Sequence, residues 1–183
     1  MSRVVVVPYD PAWMIDFQTE AERIRQGLQP LAVRIHHIGS TSIPGMPAKP
    51  IIDILLEVDD ILALDARTAR MQSLGYEAKG EFGIPGRRYF RRNNSDGVRT
   101  HHVHAFAAEV TDVVRHLAFR DYMIAHHSEA KLYANLKCQL AARHPDDVVA
   151  YMDGKGAFIT EYEARAIVWR SALTSRLKPA PTP

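Results

Sequence analysis

The chain has 183 residues, 46% apolar and 24% charged, the composition of a globular domain and not of a disordered or fibrous chain. Lysine and arginine total 23 against 21 aspartate and glutamate, a formal net charge of +2. That balance argues against a general nucleic-acid coat protein, whose affinity would rest on a large excess of positive charge, but it leaves room for a local anion site. The single cysteine, Cys138, has no internal partner, which points to a reducing compartment. The longest apolar runs, such as Val4–Val7, fall far short of the ~20 residues of a membrane span, and the N-terminus lacks the apolar core of a signal peptide. A cytoplasmic protein without a membrane partner is expected.

Asp10-Pro11 predicts the start of a first helix, aspartate as cap and proline preorganised for the first turn. Trp13, Phe17, Ile24 and Leu28 recur on one face of it. Leu31–Ile38 reads as a strand ending at Gly39-Ser40. Three prolines and a glycine in residues 41–50 exclude regular structure there. Ile51–Val58 reads as a buried strand, its apolar run interrupted by Asp53.

Ile61–Leu74 is predicted as a second helix, with Gly75 where a C-terminal cap belongs. Tyr76–Phe82 and Arg88–Arg92 are shorter strand candidates separated by the turn Gly83–Gly86. The turn signal Asn93–Gly97 makes Arg88–Arg92 and Arg99–Phe106 a hairpin. From Asp112 the pattern is helical. Ser128 is the expected cap of a helix carrying Leu132, Leu136 and Leu140, and Phe158, Tyr162, Ala166, Trp169 and Leu173 form a stripe on the last helix. The expected architecture is α+β: a mixed sheet flanked by helices in residues 1–110, a helical part in 111–175 and a flexible tail in 176–183.

Chemistry concentrates in His37-Ile-Gly39-Ser40-Thr-Ser-Ile-Pro-Gly-Met-Pro-Ala-Lys49-Pro-Ile-Ile-Asp53-Ile-Leu55. Glycine at a strand end lets backbone approach a phosphate closely, and the neighbouring amides and the Ser40 hydroxyl can donate to its oxygens. An aspartate on the next strand can hold a divalent cation bridging to the same phosphates. An acid within an apolar run is costly to bury without a partner, so Asp53 is read as functional.

This arrangement resembles the nucleotidyltransferase-superfamily signature, in which Gly-Ser is followed by Asp-x-Asp or Asp-x-Glu on the next strand. A closer resemblance is to the GrpB (UPF0157-type) family, also met as a domain attached to dephospho-CoA kinases. It is carried nearly end to end by Tyr9-Asp-Pro-x-Trp13, His37–Thr41, Pro44-Gly45, Ala48–Asp53, Gly86-Arg-Arg-Tyr-Phe90, His101-His-Val-His104, Phe119-Arg-Asp-Tyr122, Tyr133-x-x-Leu-Lys137 and Lys155-x-x-Phe-Ile159. The resemblance implies a nucleotidyltransferase-like fold. The chain departs from the superfamily pattern at Leu55, which stands at the second acidic position. Glu57 shares that strand face but lies roughly 13 Å from Asp53, too far to replace it.

His102 and His104 share one face of the hairpin strand, in a region where superfamily members often place a third carboxylate. Beside the Asp53 strand they would complete an Asp53–His102–His104 set for a divalent ion (Mn, Zn or Mg), with imidazole favouring metals softer than Mg. Alternatively, the histidines are a hydrogen-bonded wall of a substrate pocket, or one face of a half-buried strand. Lys49, Arg88, Lys137 and Lys155 could complete an anion site, Lys155 from an Asp153–Gly156 turn before the last helix. The same residues read singly as solvated surface. No organic cofactor is expected. Gly154-Lys155-Gly156 lacks P-loop spacing, no Gly-x-Ser-x-Gly elbow is present, and Cys138 reads as a core or boundary thiol.

The expected function is that of a metal-dependent nucleotidyltransferase-like protein that binds a nucleotide or phosphorylated small molecule, with Asp53 catalytic. Leu55 favours an alternative: a nucleotide- or metabolite-binding or accessory module that kept the cleft and lost the chemistry.

Overall fold

The computed structural model describes residues 3–177. Five strands, β1 Val33–Ile38, β2 Ile52–Val58, β3 Glu77–Ala78, β4 Arg88–Asn93 and β5 Arg99–Ala107, form a mixed sheet in the order β1-β2-β5-β4-β3. β2 and β5 pair in parallel; the other neighbouring pairs are antiparallel. The parallel pair needs a crossover, which α2 Ile61–Asp65, α3 Thr68–Ser73 and the strands β3 and β4 supply.

β2 is covered on both faces, and Asp53 is its one residue that is not buried. On one face Ile52, Ile54, Leu56 and Val58 pack with Val103 and Phe90 against Trp13, Ile24 and Leu28 of α1 Ala12–Leu28 and against Leu64 and Met71. On the other, Ile38, Leu55 and Phe106 meet Val113 and Leu117 of α4 Thr111–Ala125. A second core joins α4 to α5 His127–Arg143 and α6 Val148–Leu177 through Ala118, Tyr122, Tyr133, Tyr162 and Ala166, and takes in Ile43 and Met46 of the segment after β1. That segment is therefore held between the sheet and the helices.

Asp10 accepts from the Ala12 amide at 2.9 Å and starts α1 as its sequence predicts. Several expectations are corrected. Residues 41–50 are not wholly irregular, because Ser40–Ser42 form one 3-10 turn. The helix expected over Ile61–Leu74 breaks in two: Arg67 leaves helical geometry, and Arg67 and Thr68 side chains donate to the Ala63 and Asp65 carbonyls. Of Tyr76–Phe82 only Glu77–Ala78 pairs as a strand.

Further corrections fall in the helical part. Ser128 lies inside α5 and donates to the adjacent Glu129 carboxylate, so it is not a cap. Leu132 and Leu173 are exposed, and the buried stripe of α5 runs through Tyr133, Lys137 and Leu140. Cys138 is exposed. Asp153–Gly156 is helix rather than turn; a Cβ on Gly154 would lie 2.5 Å from a Leu140 methyl, so the glycine serves close packing of α6 on α5. The tail expected at 176–183 lies outside the described residues from 178 onward, while α6 itself reaches Leu177.

Candidate functional site

β1 ends where Gly39 turns the chain at φ +71°, and the register sets Ile38 opposite Asp53. A Cβ on Gly39 would fall 2.4 Å from Asp53 Oδ2, so glycine is what allows the turn to lie against the carboxylate. The turn is braced from behind. Ser42 Oγ donates to the Gly39 carbonyl at 2.6 Å, His37 Nε2 lies 3.0 Å from Thr41 Oγ1, and Arg120 of α4 donates to the His37 carbonyl at 3.1 Å. Ser40 is left facing the cavity.

The parallel register puts His102 opposite Asp53 and His104 opposite Leu55. His102 Nδ1 lies 2.9 Å from Asp53 Oδ1, within hydrogen-bonding distance. One donor atom from each of Asp53, His102 and His104 lies within 4.8 Å of the others. Partial burial alone would raise the Asp53 pKa; the His102 hydrogen bond and the positive potential of His102, His104 and Lys49 outweigh it and hold the carboxyl below its usual range. Burial pushes His104 down to about 4, Asp53 opposing and Arg87 reinforcing, so its imidazole is neutral at pH 7, the form that ligates metals.

Leu55 is fully buried beside Ile38, Phe106, Val113 and Leu117, so the place of a second carboxylate is dry and apolar. Glu57 is engaged by His36 at 2.5 Å and Arg34 at 3.7 Å. The donor set is one carboxylate and two imidazoles, which fits a single first-row divalent ion better than a pair of Mg ions.

Gly39, Ser40, Lys49, Asp53, His102, His104, Lys137 and Lys155 all line one cavity of about 520 Å³. Lys137 is buried; its Nζ donates to the Pro47 carbonyl at 2.6 Å and lies 4.8 Å from the Tyr133 ring centroid. Lys155 and Lys49 lie 4.6 and 5.6 Å from the Tyr151 centroid. Among the described residues none of the three lysines forms an ion pair, and the aromatic faces stabilise their charge instead. Burial, with the nearby Lys155, pushes Lys137 down to about 7; burial, with Lys49, pushes Lys155 down to about 8. Burial also lowers Lys49, against the pull of Asp53.

Arg88 is not brought to this cavity. Its Nε and Nη2 donate to the Asp65 carboxylate at 2.6 and 2.7 Å, on the face of β4 opposite to Tyr89. Arg87 lines the cavity in its place, with Nη1 3.3 Å from His104 Nδ1. Sequence reasoning also missed Phe82, Tyr89, His116 and Tyr151, all in the lining. His116 follows the buried Val113 by three on α4, a helical spacing that could have flagged it. Its Nε2 is buried without a hydrogen-bond partner among the described residues, and burial next to Arg115 pushes it down to about 3.

Over 168 residues the chain is 46% identical to the UPF0157 protein YqkA of Bacillus subtilis (strain 168), an alignment covering 92% of this chain and 48% of that protein. The chain thus spans about half the length of this curated relative. Among solved structures it is similar to the conserved protein GrpB from Enterococcus faecalis, with TM-score 0.86 and 42% identity over 91% of this chain and 99% of that one. A likeness at 11% identity and TM-score 0.54 extends to the Cid1 poly(U) polymerase bound to MgGTP, over 75% of this chain and 45% of that one; it shows a nucleotidyltransferase-like fold. The GrpB protein family model matches residues 3–165, and the chain belongs to the GrpB family.

Proposed function

We propose that the cavity binds a nucleotide or other phosphorylated small molecule together with one divalent ion, and that the chain acts as a nucleotidyltransferase-type enzyme. The observation that carries this reading is the meeting of two sets in the lining of one cavity: the Asp53–His102–His104 donors beside the Gly39-Ser40 turn, and three lysines that form no ion pair among the described residues. Four cations, Lys49, Arg87, Lys137 and Lys155, stand there against the single carboxylate of Asp53, and such an excess in a partly dry site suits a polyanion. The Cid1 structure was solved with MgGTP, a phosphate ligand accompanied by a divalent ion.

In this reading Asp53, His102 and His104 hold the ion, which offsets phosphate charge when bound. The turn amides and Ser40 hydroxyl orient the phosphates, and Lys137 and Lys155 stabilise charge on the departing group. Residues 1–110 supply the turn, the ion donors and Lys49, while the helical residues 111–175 supply Lys137 and Lys155. Catalysis then rests on positioning and charge and not on a covalent intermediate. A cytoplasmic setting accords with the exposed thiol of Cys138. Leu55, packed dry where a second carboxylate would sit, favours one other reading, a binding module that no longer transfers anything.

Thermal unfolding of chelator-treated protein tests both. Saturation at about 100 times Kd adds about 2.7 kcal/mol, roughly 5–10 °C in a chain of this size. The enzyme reading predicts this shift with a nucleoside triphosphate only when Mn, Zn or Mg is added, and its loss in Asp53→Ala. A metal-independent shift supports the binding module, and an unchanged response in Asp53→Ala contradicts the site.

A further inference from the structure

The segment Gly80–Gly86 joins β3 to β4 and brings one aromatic side chain, Phe82, into the lining of the cavity. Phe82 is 59% exposed and has φ +45°, in the left-handed region that bulky side chains rarely adopt. The loop is fixed in this form. Arg87 donates from Nη2 to the Phe82 carbonyl at 2.6 Å and from Nε to the Glu81 carbonyl at 3.1 Å, and the Gly86 amide donates to the Glu81 carboxylate at 2.6 Å. An apolar ring is thus held toward water by its backbone, at a position where strain commonly accompanies function.

The ring is also aligned with the rest of the site. Phe82 stacks on Tyr89 with centroids 5.1 Å apart and planes at 14°, and Tyr89 lies 5.6 and 5.3 Å from the rings of His102 and His104. One aromatic ring therefore separates Phe82 from the ion donors. The same Arg87 that fixes the loop reaches His104, so platform and donor set form one connected unit. The lysines answer the anionic part of a ligand, and the Phe82–Tyr89 stack answers a flat apolar part.

We infer that Phe82 and Tyr89 are a stacking platform for a planar aromatic ring, so that the ligand of the phosphate site is a nucleotide and not a sugar or polyol phosphate; the inference rests on the phosphate reading of the cavity. Every base has a π face, so the platform selects for a ring without dictating which base.

Titration calorimetry with Mn, using ATP, CTP and inorganic tripolyphosphate as probes, separates the two readings. Phe82→Leu keeps an apolar side chain and removes the ring. It is expected to weaken ATP and CTP by about ten-fold and to leave tripolyphosphate unchanged. Phe82→Trp is expected to retain nucleotide affinity and to have its added tryptophan emission quenched by ATP but not by tripolyphosphate. Equal weakening of all three probes in Phe82→Leu, or unchanged nucleotide affinity, overturns the platform. So does wild-type protein that binds tripolyphosphate as tightly as ATP, with the phosphate reading left standing. Wild-type protein that binds none of the probes overturns the phosphate reading, and the platform falls with it.

Discussion

At the scale of single residues the lysines carry the strongest expectation. Lys155 is buried, with a pKa pushed from 10.5 to about 8. Below about 8 both folded and unfolded chains hold this proton, and the folded chain bears the whole cost of the buried charge. Between about 8 and 10.5 the folded chain releases a proton that the unfolded chain keeps, so the cost is relieved as pH rises. Ligand-free protein should therefore gain stability from pH 7 to pH 9, while affinity for a triphosphate falls as Lys137 and Lys155 lose charge. Lys155→Met should stabilise the ligand-free protein at pH 7 by about 1–3 kcal/mol and weaken triphosphate binding by ten-fold or more; chemical denaturation with and without ligand checks both. A destabilised variant with parental affinity would make Lys155 structural. Residue types were legible at this scale and orientations were not. The sequence places Lys155 in a turn where the structure has helix, and the choice between Arg87 and Arg88 depends on which face of β4 meets the cavity, which local pattern does not fix.

At the scale of elements, β2 was legible because a central strand covered on both faces must be a largely apolar run, and Asp53 is the acid within it that faces the cavity. The same logic sets the fate of Leu55. It is fully buried against α4, so Leu55→Asp places a carboxylate in an apolar cluster and should cost about 3–5 kcal/mol, seen as a Tm lowered by about 10 °C or more. It should also take up no second ion. A Leu55→Asp protein that unfolds with the parent and binds two ions would contradict this packing. The break between α2 and α3 was not legible, because it depends on Arg67 and Thr68 side chains capturing carbonyls that a continuous helix would have used. Gly154 misled for a related reason: it reads as a turn alone, and only the approach of Leu140 explains it inside a helix.

At the scale of the whole molecule, the cavity lies where the turn after β1, the β2–β5 pair, α5 and α6 converge. Turn, acid and histidine pair were visible as local patterns. The arrival of Lys137 and Lys155 in the same cavity lining is a tertiary fact, anticipated only through the family resemblance, since no periodicity connects residues so far apart in the chain. The central claim is that this convergence makes a site for one ion beside a polyanion. Equilibrium dialysis of Mn in the presence of ATP tests it most directly, with the parent protein compared to His104→Ala and Asp53→Ala. One ATP-dependent ion per parent chain, lost in both variants, is the predicted result. No bound ion, two ions per chain, or one ion retained in both variants would contradict it.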